Sequence, residues 1–245
     1  MTIDNQQRIL DWEGAYNARD LGGYRTEDGR ETRWERLVRS DNLIRLTSAG
    51  RRALEEHGVK TIIDLRLPQE LEIDPPPFRD HESIAYHHLS FVDPSTVGQG
   101  SAPERLADDY VGMIERFAPR VGEVMRTIAN APEGGVLFHC HAGKDRTGVI
   151  AAFLLRLAGV PIETAAEDYA LTRELLRPVD EEWLENGSGT REWREKEYER
   201  THARAEVMAE VLERVEAQHG SIEGYLLDAG VTQEEIEKLR ERLLG

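Results

Sequence analysis

The segment Val136-Leu137-Phe138-His139-Cys140-His141-Ala142-Gly143-Lys144-Asp145-Arg146-Thr147-Gly148 holds the only cysteine of the 245-residue chain. The apolar run that ends at Cys140 reads as a strand. Ala142 and Gly143 are loop residues, and Val149 to Leu157 is apolar enough for a buried helix. Strand, tight loop and helix in this order make a cradle for an anion. The first turn of the helix leaves its N–H groups unpaired, and its dipole presents positive charge. Arg146 adds a planar fork that suits two phosphate oxygens, and Lys144 adds a second cation. His141, Ala142, Gly143, Lys144, Arg146 and Thr147 are therefore the expected phosphate-binding residues. The same field favours the thiolate form of Cys140, which then faces a bound phosphate as a nucleophile.

Cys140, five intervening residues and Arg146 resemble the signature loop of the cysteine-dependent phosphatases. Asn17-Ala18-Arg19-Asp20-Leu21-Gly22-Gly23, Arg39-Ser40-Asp41, Asp64-Leu65-Arg66 with Glu70, and the run Lys144-Asp145-Arg146 narrow the resemblance to one branch. They are similar to motifs of the bacterial atypical tyrosine and lipid phosphatases, a family with mycobacterial and Listeria members. The likeness extends from about Asn17 to Tyr169, with Gly220-Ser221-Ile222 and Tyr225 added near the end. It implies a phosphate monoester hydrolase of broad specificity. The substrates would be phosphotyrosine, with phosphoserine, phosphothreonine and phosphoinositides as further candidates, and a phosphoinositide-preferring enzyme is the nearest alternative. It further implies a phosphocysteine intermediate whose turnover the Thr147 hydroxyl assists, inorganic phosphate as product, and a lysine at 144 that goes with tolerance for phosphoinositides. Two readings of another class stay open at this level, a rhodanese-type sulfurtransferase and an idle phosphate-binding module.

Composition limits the remainder. With 31 Lys and Arg against 47 Asp and Glu, the net charge is −16, which argues against a partner such as nucleic acid or an anionic membrane surface. Glu163 to Gly245 carries 22 acidic and 11 basic residues, so much of that charge belongs to the solvated faces of C-terminal helices. One cysteine excludes an internal disulfide, and the start MTIDNQQRIL lacks an apolar core of signal-peptide type. The expected location is cytoplasmic, with export without a leader still open. Val149 to Val160 is interrupted by Arg156 and is too short to span a bilayer.

A helix capped at Thr47 or Ser48 and stopped by Gly58 leads into a strand, Val59 to Leu65. Further expectations are strands at Leu37–Arg39 and Ile84–Phe91, and helices from Pro103 to Phe117 and Pro119 to Asn130. Another helix follows Pro161 and carries Asp168-Tyr169. Thr232 to Glu235 is a capping box that opens a last helix with Ile236, Leu239 and Leu243 on one face. Strands alternating with helices predict an α/β fold with a largely parallel central sheet flanked by helices and a mostly helical C-terminal third. Residues 1–245 are expected to form one catalytic domain. Asp180 to Arg200, with Trp183, Trp193 and Tyr198 among charges of both signs, reads as two helices about a Gly-Ser joint. They make either a solvated hairpin or, as the mycobacterial members imply, a lid.

His81, His87 and His88 lack a carboxylate or cysteine at ligand spacing, and the chemistry calls for no metal and no cofactor. Three carboxylates compete as general acid. Asp64 ends a strand on the edge where open α/β sheets place ligands, and desolvation there should raise its pKa toward what an acid needs. Asp145 lies among cations and is expected to stay ionised, as an orienting or water-activating group. Asp93, in a Val-Asp-Pro-Ser loop, ranks third.

Overall fold

A computed structural model of the chain describes residues 5–90, 92 and 105–245. In chain order the elements are α1 (Asn5–Arg8), β1 (Arg19–Asp20), β2 (Leu37–Ser40), α2 (Ser48–Glu56), β3 (Val59–Asp64), α3 (Pro68–Ile73) and β4 (Ala85–His88). They continue with α4 (Leu106–Arg116), α5 (Ala118–Ala129), β5 (Gly135–His139), α6 (Asp145–Leu157) and α7 (Ile162–Leu175). The chain ends with α8 (Arg177–Asn186), α9 (Arg191–Thr201), α10 (Ala205–His219), α11 (Ile222–Asp228) and α12 (Gln233–Leu244). Among the described residues this is the expected α/β architecture with a helical C-terminal third.

The strands lie in the order β1-β2-β5-β3-β4. β5 is central, with β2 and β3 parallel to it on either side, β4 parallel to β3, and only the two-residue β1 antiparallel at the edge. Ser40 and Asp64 both stand in register with His139, so three parallel strands end together beside the residue before Cys140.

Strand residues alternate between faces. Val38, Leu137 and Ile62 join Trp12, Leu54 and Phe78 in one apolar cluster, against α2. Leu37, Val136, Phe138 and Ile63 join the larger cluster on the other face, built with α4 to α7 and α10 to α12. Helix α6 runs through this second layer, and Val149 to Leu155 are fully buried. Its apolar run is continuous because helices surround it on the side away from the sheet.

The capping expectations hold in detail. Thr47 accepts from the amide of Gly50, Gly58 takes φ 86° after α2, and Thr232 and Glu235 cap α12 reciprocally. The fourth strand is shorter than expected, Ala85–His88 in place of Ile84–Phe91, because its residues are largely solvent-facing and among the described residues it pairs only with β3. The two helices anticipated around Asp180 to Arg200 are α8 and α9, joined through Gly187–Thr190, with Trp183 and Trp193 edge to face across the joint. The loop of Val92 to Ser101, Asp93 within it, and Pro103 lie outside the described residues except for Val92. No described helix is long and apolar enough to cross a membrane.

Candidate active site

The loop from His141 to Lys144 leaves the C-terminal end of the central strand and turns directly into α6, whose first residue is Asp145. Cys140 is 2% exposed beneath it. Gly143 takes φ 67°, and a Cβ there would lie 2.4 Å from the Ser40 carbonyl oxygen, so only glycine lets the loop press against the end of β2. The loop carbonyls are bound from behind. Asn42 N–H donates to His141 O at 2.9 Å, Asn17 Nδ2 to Ala142 O at 2.9 Å, and Arg39 Nη2 to Gly143 O at 2.7 Å. The N–H groups of Ala142 through Arg146 donate to no acceptor among the described residues, which leaves them for an anion in the loop.

Arg146 is held by Glu70. Nη1 donates to Oε2 at 2.7 Å and Nη2 to Oε1 at 3.1 Å, and Nη1 also reaches Leu65 O at 3.2 Å. Burial works to lower the Arg146 pKa, but negative charge at Cys140 and Glu70 outweighs it and holds the guanidinium above its ordinary value. Glu70 is itself fixed by the start of α3, where Leu67 N–H donates to Oε2 at 2.7 Å. The sequence motif includes Glu70 but does not show its pairing with Arg146, although Pro68 followed two residues later by Glu70 is a legible helix start.

Asp145 accepts a short hydrogen bond from the Tyr110 hydroxyl, and that hydroxyl also meets Tyr169 Oη at 2.8 Å. Burial, with the Asp145 charge second, raises the pKa of both phenols. The Asp145 side chain is 41% exposed, so it faces the open side of the loop. Lys144 donates from Nζ to Thr201 O at 2.8 Å, tying the loop to the end of α9. The Thr147 hydroxyl is buried without a hydrogen-bond partner among the described residues.

Asp64 differs from expectation. It is fully buried, and it accepts from Arg66 Nη2 at 2.7 Å, Arg66 Nε at 3.0 Å and Tyr86 Oη at 2.8 Å. Burial alone would raise its pKa, but the His139 ring and the Arg66 guanidinium outweigh it and hold the carboxyl at about 2. The desolvation argument fails because the strand end brings its own counter-ion two residues away. His139 lies 3.7 Å from Asp64 and its Nδ1 meets Cys140 O at 3.0 Å. Burial lowers its pKa against the pull of Asp64, and its contact with Cys140 O orients the backbone there. Of His81, His87 and His88, His88 contacts Arg66 O at 2.8 Å and His81 lies 3.6 Å from Glu55.

Two pockets flank the loop. One, of about 210 Å³, is lined by Ala142, Lys144, Leu176, Asp180, Trp183 and Tyr198 among others. The second, of about 190 Å³, includes Tyr16, Ile44, Arg45, His141, Val179 and Asp180. Leu176 and Asp180, at the entry to α8 and in its first turns, border both, so this helix stands over the loop between them.

The sequence matches the profile of a family described as the tyrosine phosphatase family over residues 10–245. The chain belongs to the tyrosine phosphatase family. A tyrosine-protein phosphatase of Nostoc commune is 37% identical over 216 residues, covering 84% of this chain and 74% of that protein. The triple specificity protein phosphatase PtpB of Mycobacterium tuberculosis is 28% identical over 280 aligned residues, covering 97% of this chain and 99% of PtpB. The crystal structure of P. aeruginosa TpbA aligns over 80% of this chain and 87% of that one at 17% identity, with a TM-score of 0.37. The chain is thus a phosphatase, with a phosphorylated substrate and inorganic phosphate as product, and the sulfurtransferase alternative is set aside.

Proposed function

We propose that this tyrosine phosphatase works through a phosphocysteine at Cys140, with Asp145 as the proton donor. The observation that carries the reading is the loop itself, with a buried cysteine below free amides and Arg146 locked at its rim. The sulfur lone pair forms the S–P bond as the P–O bond to the leaving group breaks. Arg146 and the loop amides hold the equatorial oxygens, whose charge they stabilise in the transition state. Asp145 gives its proton to the leaving oxygen and then takes one from the water that attacks phosphorus. The S–P bond breaks, its electron pair returns to sulfur, and inorganic phosphate departs.

Asp145 replaces Asp64 as acid because the Arg66 pair keeps Asp64 ionised, whereas Asp145 has Oδ1 fixed by Tyr110 and, among the described residues, Oδ2 without a hydrogen-bond partner. The unpartnered Thr147 hydroxyl, one residue beyond Arg146, supports a role in the second step. Two pockets beside the loop and the full-length likeness to a triple-specificity enzyme support phosphotyrosine first, with phosphoserine, phosphothreonine and phosphoinositides also accepted.

The test is leaving-group dependence. Asp145→Asn should slow phenyl phosphate by about 10²-fold or more, in the range of a lost general acid, and p-nitrophenyl phosphate far less. Equal slowing of both would refute the acid assignment. No phosphate release from a phosphotyrosyl peptide by the unaltered protein would refute the reading as a whole.

A further inference from the structure

Two arginines lie directly opposite each other on neighbouring strands, Arg19 on β1 and Arg39 on β2, both fully buried. Like charges facing each other across a ladder destabilise a sheet unless something stands between them. Here that is Asp168 of α7. Arg19 Nε donates to its Oδ1 at 2.8 Å, and Arg39 Nη1 to its Oδ2 at 2.5 Å. Tyr24 Oη donates to Oδ1 at 2.9 Å. Arg19 Nη1 also holds Asn17 Oδ1 at 2.5 Å.

The cluster has two unusual properties. Its free ends reach the catalytic loop, through Asn17 to Ala142 O and Arg39 to Gly143 O. It also holds two guanidinium groups against one carboxylate, all within 3% exposure. Burial and then the neighbouring Arg19 push Arg39 down to about 10, so it remains charged at neutral pH, and its Nε is buried with no hydrogen-bond partner among the described residues. Two other buried acids lie nearby and bond neither arginine: Asp41 is taken by the amides of Tyr16 and Asn17, and Asp20 by the amides of Gly22 and Glu35 and by His57. The space is closed on the helix side too, since a Cβ on Gly148 would lie 2.8 Å from the Tyr169 ring and 3.5 Å from Arg39 Nη2.

We propose that Asn17, Arg19, Arg39 and Asp168 form a positioning cluster that grips the phosphate loop by its carbonyls, and that its one unbalanced positive charge is completed by the phosphate dianion. An unbalanced buried charge is costly by itself. A dianion on the far side of two peptide groups offsets that cost only when bound, so the cluster binds phosphate through the loop without touching it. Arg39 is the member that does both tasks. It carries the excess charge, and it turns Gly143 so that the following amides face the site.

The test compares Arg39→Met and Arg39→Lys in the whole protein. Removing Arg39 leaves Arg19 and Asp168 as a balanced pair but takes a donor from Asp168 Oδ2 and from Gly143 O, so the methionine variant should fold with a Tm lowered by several degrees. Its kcat/KM on p-nitrophenyl phosphate should fall about 100-fold, the size expected when a distant change misplaces the reacting groups by about 1 Å. Affinity for inorganic phosphate, read by calorimetry or by ligand-induced Tm shift, should fall about tenfold or more, as for loss of a charge-assisted hydrogen bond. Arg39→Lys keeps the charge but spans only one partner, so it should recover phosphate affinity more than kcat/KM. A methionine variant with undiminished phosphate affinity, or a lysine variant no better than methionine in binding, would overturn the charge argument. Should Arg39→Met not fold, Asn17→Ala carries the test of the grip, since it removes the donor to Ala142 O, and an unchanged kcat/KM would overturn it. Phosphate binding is read apart from turnover, so failure of the phosphocysteine scheme would not be mistaken for failure of the cluster.

Discussion

Asp64→Asn separates a structural carboxylate from a catalytic one. The substitution keeps the shape and removes the charge, so an amide N–H₂ group or a neutral oxygen meets Arg66 Nη2 and the Tyr86 hydroxyl where a carboxylate oxygen accepted from both. The drop from the ordinary 3.8 to about 2 in the folded state is worth about 2.4 kcal/mol at ~1.36 kcal/mol per pH unit. That is a lower bound, because a buried Arg66 left without its partner typically costs about 3–5 kcal/mol. For a chain of this size, about 2.4 kcal/mol corresponds to a fall in Tm of about 5–10 °C. The pH dependence has a definite sign. The folded pKa lies below the unfolded one, so the contribution is fully present above about pH 4 and disappears as pH falls through about 2. Thermal or urea unfolding of both proteins at several pH values should therefore give a constant gap from neutral down to about pH 4 and a narrowing gap below it. The kinetic arm uses two substrates. If Asp64 acts only by holding the strand end, phenyl phosphate and p-nitrophenyl phosphate slow by the same factor. An unchanged Tm, together with selective slowing of phenyl phosphate, would refute this reasoning and return the acid role to Asp64.

Cys140→Ser should lose all steady-state turnover while binding inorganic phosphate, whereas Arg146→Ala should lose both; measurable turnover by the serine variant would end the phosphocysteine scheme. Glu70→Gln removes the charge that fixes Arg146 and should lower kcat/KM by about tenfold or more, the effect of one hydrogen bond between charged groups; unchanged steady-state kinetics would show that Arg146 needs no such clamp. Peroxide should inactivate the enzyme through a sulfenic acid at Cys140, and with a single cysteine in the chain no internal disulfide can protect it. Mass spectrometry of the treated protein should find the oxidation at Cys140, and activity that survives complete modification there would refute the nucleophile assignment.

The cysteine, the arginine and the strand-loop-helix that joins them were legible because they are contiguous. Seven residues from Cys140 to Arg146 have few ways to connect a strand end to a helix start, and the physics of that turn is local. The same holds for the caps at Thr47 and Thr232, and for the alternation that divides Val38 and Leu137 from Leu37 and Val136. Other parts of the site depended on which strand lies beside which. The order β1-β2-β5-β3-β4 brings Asn17, Arg19 and Arg39 behind the loop and leaves Asp168, more than a hundred residues away, as the carboxylate between the two arginines. The motif around Arg19 and Gly22-Gly23 is therefore conspicuous in the chain, while its purpose is not. The roles of the acids were decided the same way. Sequence places Asp64, Arg66, Glu70, Asp145 and Arg146 within reach of one sheet edge, but it does not say which acid each arginine takes. Burial does: Arg66 is enclosed with Asp64 and holds it ionised, Arg146 turns to Glu70, and Asp145 is left half open beside Tyr110. Ionisation in a protein follows from desolvation and the nearest opposite charge. Both are properties of the packed chain, and so the proposal of Asp145 as proton donor rests on tertiary structure.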